Sequence, residues 1–291
     1  MINTKKCLIC KDGRRNDCLH WHKDPDSGDL WVWCQGKCQR GYSLRSYCHN
    51  AGISLPEFLK GEFDFKEAPP NELTVMEWPA RFIPLSDPRS QPAIDYIKSR
   101  GLSPEGDMYY DIERNGVVFP YYFENHFCGA QTRFVTPKVH PDGEVQKMDT
   151  LPGTRLGLLF YGWNQAKFIG NVKAIVVTEG AFNAIAINQA LNLKYGGIAN
   201  NPWRAIACSG AGATKHHQEA LKEFKESGMK IVVALDNDEA GFKGLKKFKD
   251  SESCTHYAVT GDTKDWNDMA KEMGMVEFAK FFLSTVKKVD V

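Results

Sequence analysis

Three groups of carboxylates in the second half of this 291-residue chain follow short apolar runs. Glu179 follows "AIVVT" (Ala174 to Thr178) and precedes Gly180. Asp236 and Asp238 follow "KIVVAL", while Asp262, Asp265 and Asp268, with Lys264 among them, follow "HYAVT". A five-residue apolar, β-branched run reads as a buried strand, and Ala181, Phe182, Ile185, Ala186 and Gln189 fall at helical spacing. Glu179 and Gly180 therefore occupy a strand-to-helix turn, which in an open α/β sheet lies at the carboxyl edge where ligands bind. Carboxylates brought to one edge from three turns repel one another unless a hard cation neutralises them, and oxygen-only ligands suit Mg2+ or Mn2+. Each acid alone has a plainer reading: Asp238, just before "EAGF", as a helix N-cap, and Glu179 as a first-turn acid complementing a helix dipole.

The amino-terminal cysteines pose a different chemistry. Cys7 and Cys10 form a C-x2-C pair and Cys34 and Cys38 a C-x3-C pair, with "DLWVWC" alternating like a strand before Cys34. Two short-spaced pairs joined by a hairpin can supply four thiolates in a tetrahedron, the requirement of a closed structural zinc site. Cys18, His20, His22, Cys48 and His49 are rival ligands. The plainer alternative is a few buried thiols and surface histidines, yet some sixty residues without a staple bury little core. Arg14, Arg15, Trp21, Trp31, Trp33, Lys37, Arg40, Tyr42 and Arg45 interleave here. Such a surface either pairs with phosphates and stacks unpaired bases, or covers the small core while its charges are solvated.

The elements that must position these groups alternate. After the first helix come strand "AIACS" (Ala205 to Ser209), helix "KHHQEALKEFKESG", strand "KIVVALDND", helix "AGFKGLKKFK", strand "HYAVT" and loop "GDTKDWNDMA". Strands alternating with helices of this length imply a parallel sheet with right-handed crossovers. The 42% hydrophobic content suffices for an ordinary core, and no membrane-spanning apolar run occurs. Nine cysteines, six in the first fifty residues, fit reduced or metal-bound thiols and a cytoplasmic location. A formal net charge of +1 excludes a globally basic coat, so nucleic acid would be held by local patches. "SGAGAT" (Ser209 to Thr214) is a glycine turn that could admit a phosphate backbone.

Strand-E-G-helix, then strand-D-x-D-x-x-G-helix, then a strand-loop acid resembles the Toprim domain of primases, topoisomerases and related nucleases. The rest of the chain resembles DnaG-type and bacteriophage primases. "LLFYGWNQAKFIGNVKAIVVTEGAFNAIAI" is similar to their approach to the first Toprim strand, and "DYIKSRGLSPE" (Asp95 to Glu105) to a helix that starts their polymerase core. "GAQTRF" and "VQKMDTLPGT" align Arg133 and Lys147 with a motif arginine and a motif lysine. "QTR" in place of "GGR", "PGT" in place of "PET" and a wider gap between the zinc pairs are departures. No G-x-x-x-x-G-K-[ST] occurs, so the chain reads as a stand-alone primase without a fused helicase.

The resemblance implies an α/β Toprim fold (a parallel sheet flanked by helices), a mixed α+β amino-terminal polymerase subdomain and a small β-rich zinc ribbon. The expected divisions are a zinc-binding domain at 1–60, a linker at 61–77, the amino-terminal subdomain at 78–165 and the Toprim domain at 166–291. The activity implied is synthesis of short RNA primers on single-stranded DNA from nucleoside triphosphates for a phage or mobile element, with a separate replicative helicase as partner and no membrane. Glu179, Asp236 and Asp238 are the expected catalytic magnesium ligands, with Asp265 as a further acid. Arg133, Lys147 and, less strongly, Lys264 and Lys215 are the expected phosphate-binding cations. Cys7, Cys10, Cys34 and Cys38 are the expected zinc ligands. A Toprim nuclease and a RecR-like recombination mediator remain alternatives.

Overall fold

The antiparallel and parallel patterns expected from the sequence fall in separate sheets of a computed structural model, which describes residues 7–9, 19–23, 30–34, 40–53, 65–66, 73–139, 143, 145–168, 172–210, 213–261 and 265–289. The chain forms two compact units, Met1–Glu72 and Leu73–Val291.

In the first unit, β1 (Leu19–Lys23), β2 (Leu30–Cys34), β3 (Arg40–Ser43) and β4 (Phe65–Lys66) form a sheet in the order β3-β2-β1-β4, and α1 (Leu44–Ala51) follows β3. Val32 and Cys34, two residues apart on β2 and so on one face, are both buried. They join Cys7, Leu19, Trp21, Tyr47 and Cys48 in one small core, where the Trp21 and Tyr47 rings meet edge to face at 5.6 Å.

The second unit begins with an antiparallel meander: β5 (Phe82–Pro84), β6 (Tyr109–Asp111), β7 (Gly116–Phe123), β8 (His126–Val139) and β9 (Val145–Thr150), in sequential order. Glu124 and Asn125 turn the β7–β8 hairpin with φ of 49° and 66°, the two left-handed residues of the turn that matches strand twist. Helix α2 (Gln91–Ser99) lies between β5 and β6, and α3 (Trp163–Phe168) follows β9.

The parallel sheet has the order β11-β10-β12-β13-β14, formed by β10 (Ala174–Thr178), β11 (Trp203–Ala207), β12 (Lys230–Val233), β13 (His256–Tyr257) and the antiparallel β14 (Lys287–Lys288). Its central strands are apolar on both faces because both are covered. Val176 and Val232 enter a cluster with α4 (Ala181–Tyr195), α7 (Trp266–Met273) and α8 (Met275–Thr285), together with Val117, Phe119 and Tyr121 of β7. Ile175, Val177, Ile231 and Val233 enter a second cluster with α5 (Lys215–Glu226) and α6 (Glu239–Asp250). Each such buried side chain contributes roughly 1.5–3 kcal/mol. Helix α4 is apolar on most of its surface because it is held between the parallel sheet and the meander, with the Phe119 and Phe182 rings at 5.0 Å. It ends at Gly196 in the left-handed region, φ 73°.

Three sequence expectations need correction. The second strand spans 203–207 rather than 205–209: Cys208 and Ser209 still donate to the Thr178 and Glu179 carbonyls, but Ser209 turns into the left-handed region, φ 57°, and leaves the strand. "HYAVT" pairs only at His256 and Tyr257. The stretch read as a loop after it contains α7, because the Asp265 side chain caps the Asp268 N–H at 2.8 Å and the buried Trp266 donates from Nε1 to the Ala234 carbonyl at 2.9 Å.

Candidate active site

The carboxyl ends of β10 and β12 are adjacent, since these strands pair in register from Ala174↔Lys230 to Val177↔Val233. Glu179 directly follows β10, and its carbonyl accepts from the Ser209 N–H at 2.8 Å, which ties the turn to the segment after β11. Burial, and then the Glu179 carboxylate, push the Cys208 thiol up, so the acid borders the buried Cys208.

Asp236 and Asp238 occupy the turn into α6. Asp238 is the N-cap of that helix, its Oδ1 accepting from the Gly241 N–H at 2.9 Å. Gly241 is required by close approach: a Cβ there would overlap the Asp236 carbonyl oxygen. The D-x-D-x-x-G spacing is thus a folding device that fixes both aspartates at the sheet edge. The cap reading of Asp238 holds, and Asp265 is likewise the cap of α7.

A chain of side-chain contacts absent from the sequence expectations supports Asp236. Asn183, in the first turn of α4, donates from Nδ2 to Asp236 Oδ1 at 2.8 Å. Its Oδ1 accepts from the Asn267 backbone N–H at 3.1 Å. Asn267 in turn accepts at Oδ1 from Arg100 Nε at 2.7 Å and donates from Nδ2 to the Arg100 carbonyl at 3.0 Å. Arg100 also lies 3.9 Å from Asp265 and 3.5 Å from Asp268, and its guanidinium sits 5.5 Å from the Phe182 ring centre. Asn183 and Asn267 are buried, so each amide needs these partners.

The predicted cations separate. Arg133 is on β8, half-buried, with Nε donating to the Tyr96 hydroxyl at 3.2 Å, and Tyr96 packs 6.0 Å from Phe182. Arg133 pairs with Met148, so Lys147, its exposed neighbour on β9, sits on the other face of the meander. Lys215 is exposed and pairs with Glu219 at 3.8 Å. Lys264 lies outside the described residues, as does Asp262.

Glu179, Asp236 and Asp238 offer the hard oxygen donors of a divalent-cation site. Among the described residues, however, no three His, Cys, Asp or Glu side chains close on one point. In the first unit, Cys7 and Cys34 are buried, and burial chiefly, with these two thiols, pushes the Tyr47 hydroxyl up. One cysteine from each predicted pair thus lies beside the same hydroxyl, which fits a shared thiolate site. Cys10, Cys18 and Cys38 lie outside the described residues, and of His20 and His22 only the backbone in β1 is described. Cys48 is buried in the same core.

Residues 176–270 match the Toprim-like family, a segment that runs from β10 into α7 and carries Glu179, Asp236, Asp238 and Asp265. Among solved structures, the chain is similar to a DnaG primase catalytic domain bound to single-stranded DNA, at 17% identity and TM-score 0.50, covering 70% of this chain and 74% of that one. The RNA polymerase domain of Mycobacterium tuberculosis primase DnaG, in complex with double-stranded DNA, matches at 17% identity and TM-score 0.52, covering 69% and 75%. The E. coli primase catalytic core matches at 16% identity and TM-score 0.50, covering 70% and 76%. No curated protein matches the chain. The resemblance to DnaG-type primases is borne out in the fold: a Toprim-like domain set in a primase-core arrangement.

Proposed function

We propose that this chain is a DNA primase that makes short RNA primers on single-stranded DNA, a DNA-directed RNA polymerase acting by metal-dependent nucleotidyl transfer. The observation that carries the proposal is the delivery of Glu179, Asp236 and Asp238 to adjacent strand ends within a primase-core fold. The DnaG relative bound to single-stranded DNA supports the choice of template. Residues 1–60 would be the zinc-binding, template-reading domain, 61–77 a linker, 78–165 the amino-terminal subdomain and 166–291 the catalytic Toprim domain. Service to a phage or mobile element in a bacterial cytoplasm, with a separate replicative helicase, completes the proposal; among the described residues no helix is long and apolar enough to cross a membrane.

Primer extension joins the 3′-hydroxyl of one nucleotide to the α-phosphate of the next, with pyrophosphate leaving. Mg2+ or Mn2+ held by Glu179, Asp236 and Asp238 would lower the pKa of the attacking hydroxyl and neutralise charge on the leaving oxygens. Asn183 donates to one oxygen of Asp236 and so helps to orient that carboxylate. Arg133, on the face of the meander toward α2, would hold triphosphate or template phosphate, as would Lys147 and Lys264 from their own positions. Asp265 serves as an acid that keeps Arg100 in place.

Incubation with mixed-sequence single-stranded DNA, labelled ribonucleoside triphosphates and Mg2+ tests this. Short labelled oligomers are expected. Shortened DNA without oligomers would mean a nuclease, and intact DNA bound without product a mediator.

A further inference from the structure

Helix α6 carries lysines on its solvent face. Lys243, Lys246 and Lys247 are exposed, while Leu245 and Phe248 pack into the core on the opposite side. Residues three and four apart stack along one stripe of a helix, so these lysines form a line. From Lys243 to Lys247 the line covers about 6 Å of a helix about 18 Å long. The helix starts at the Asp238 cap and runs toward the amino ends of the strands, because α6 connects the parallel β12 and β13, so Lys246 and Lys247 lie on its half away from the acids.

At its far end the line meets a second group of cations on the sheet edge. Lys249 Nζ lies 4.2 Å from the Tyr257 ring centre, and Tyr257 and His256 pair with Lys287 and Lys288 across the β13–β14 ladder. Lys230 opens β12. Burial first, then Lys230 and Lys288, hold the His256 imidazole below its usual range, which shows that positive charge accumulates here. Lys243 is neutralised by Glu239 at 2.6 Å. Among the described residues no carboxylate forms an ion pair with Lys230, Lys246, Lys247, Lys249, Lys287 or Lys288.

We propose that the lysine line of α6 and the β13–β14 edge together form a second nucleic-acid contact, which holds the phosphate backbone of a duplex without reading its sequence. Lysine ammonium groups neutralise phosphate as point charges and do not discriminate bases. Among the described residues of the edge the Tyr257 ring is already engaged by Lys249, and the exposed Phe242 stands apart, toward the start of α6. A duplex, with twice the phosphate density of a single strand, is therefore the better occupant. The surface leads away from the acids, and its role does not depend on synthesis.

The test is fluorescence anisotropy of the whole chain with a short labelled DNA duplex and with the matching single strand, over a range of salt and without nucleotides. Compared are the wild type, a Lys246→Ala/Lys247→Ala/Lys287→Ala/Lys288→Ala variant, and a Lys194→Ala/Lys280→Ala control on other faces. The slope of log affinity against log salt should become shallower by about one for each lysine that touches a phosphate, two or more in all, with the control like wild type. A variant that melts like wild type and keeps its slope overturns the contact; a loss confined to the single strand overturns the duplex as occupant. The Lys246→Ala/Lys247→Ala pair alone, on an exposed helix face, answers the question should the β14 changes unfold the edge.

Discussion

Asn183 Nδ2 donates to Asp236 Oδ1 across 2.8 Å, which joins the first turn of α4 to the carboxyl end of β12. Through Asn267 the same amide is linked to Arg100, at the end of α2 in the amino-terminal half of the unit. A hydrogen bond to a charged group contributes about 1.5–3 kcal/mol, so the link is strong enough to set the orientation of one acid.

Asn183→Ala should lower kcat by about tenfold or more while KM for nucleotide changes little, because what it removes is positioning rather than substrate contact. Asn183→Asp separates positioning from packing. A second carboxylate beside Asp236 raises the pKa of the pair, so the rising limb of the pH–rate profile should move to higher pH. An unaltered kcat in the alanine variant would show that Asp236 needs no such support.

Asp238 has two tasks that substitution can divide. Asp238→Asn keeps an N-cap and loses the charge, whereas Asp238→Ala loses both. Both should lower the rate at least about a hundredfold, but only the alanine variant should lose about 1 kcal/mol of stability in chemical denaturation. Equal stability of the two would mean that the Gly241 N–H bond contributes nothing to α6.

Zinc can be counted directly. Elemental analysis of the purified protein should give about one zinc per chain, abolished in Cys34→Ala, and a chelator should unfold the first unit while the second retains its melting transition. Metal-free protein with an intact first unit would leave Cys7 and Cys34 as ordinary core thiols.

Asp107 predicts a pH dependence of stability. Burial pushes its carboxyl up to about 6, and it lies beside Tyr122 and Tyr161, whose hydroxyls burial and then its charge push up. A group whose folded pKa is raised stabilises fully below its unfolded value, near 3.8, and loses that contribution as pH rises through the folded value. Asp107→Asn should therefore match wild type near pH 4 and be more stable by about 2–3 kcal/mol at pH 8. A constant difference across that range would assign the effect to packing instead.

The parallel sheet was legible because β10 and β12 are continuous β-branched runs, a pattern that only strands covered on both faces display. Asp236 and Asp238 were placed by the same logic. Helix α7 was not legible, since "DWNDM" is polar and its stability comes from Trp266 filling a space beneath β12. Nor could spacing reveal Arg100, Asn183 and Asn267, whose mutual bonds span 84 and 167 residues of sequence. The opposite faces of Arg133 and Lys147 depend on the register of β8 with β9, which a motif alignment does not carry.

The most direct test of the central claim is template-dependent oligomer synthesis by wild type and by an Asp236→Asn/Asp238→Asn variant, side by side, on single-stranded DNA with labelled ribonucleoside triphosphates and Mg2+. Asparagine keeps the shape and one acceptor oxygen at each position, enough for the bonds from Asn183 and from the Gly241 N–H, so the fold of this variant should match wild type by circular dichroism. Short labelled products from the wild type, reduced at least about a hundredfold in the variant, are predicted. Equal product from both proteins would contradict the assignment of synthesis to these acids.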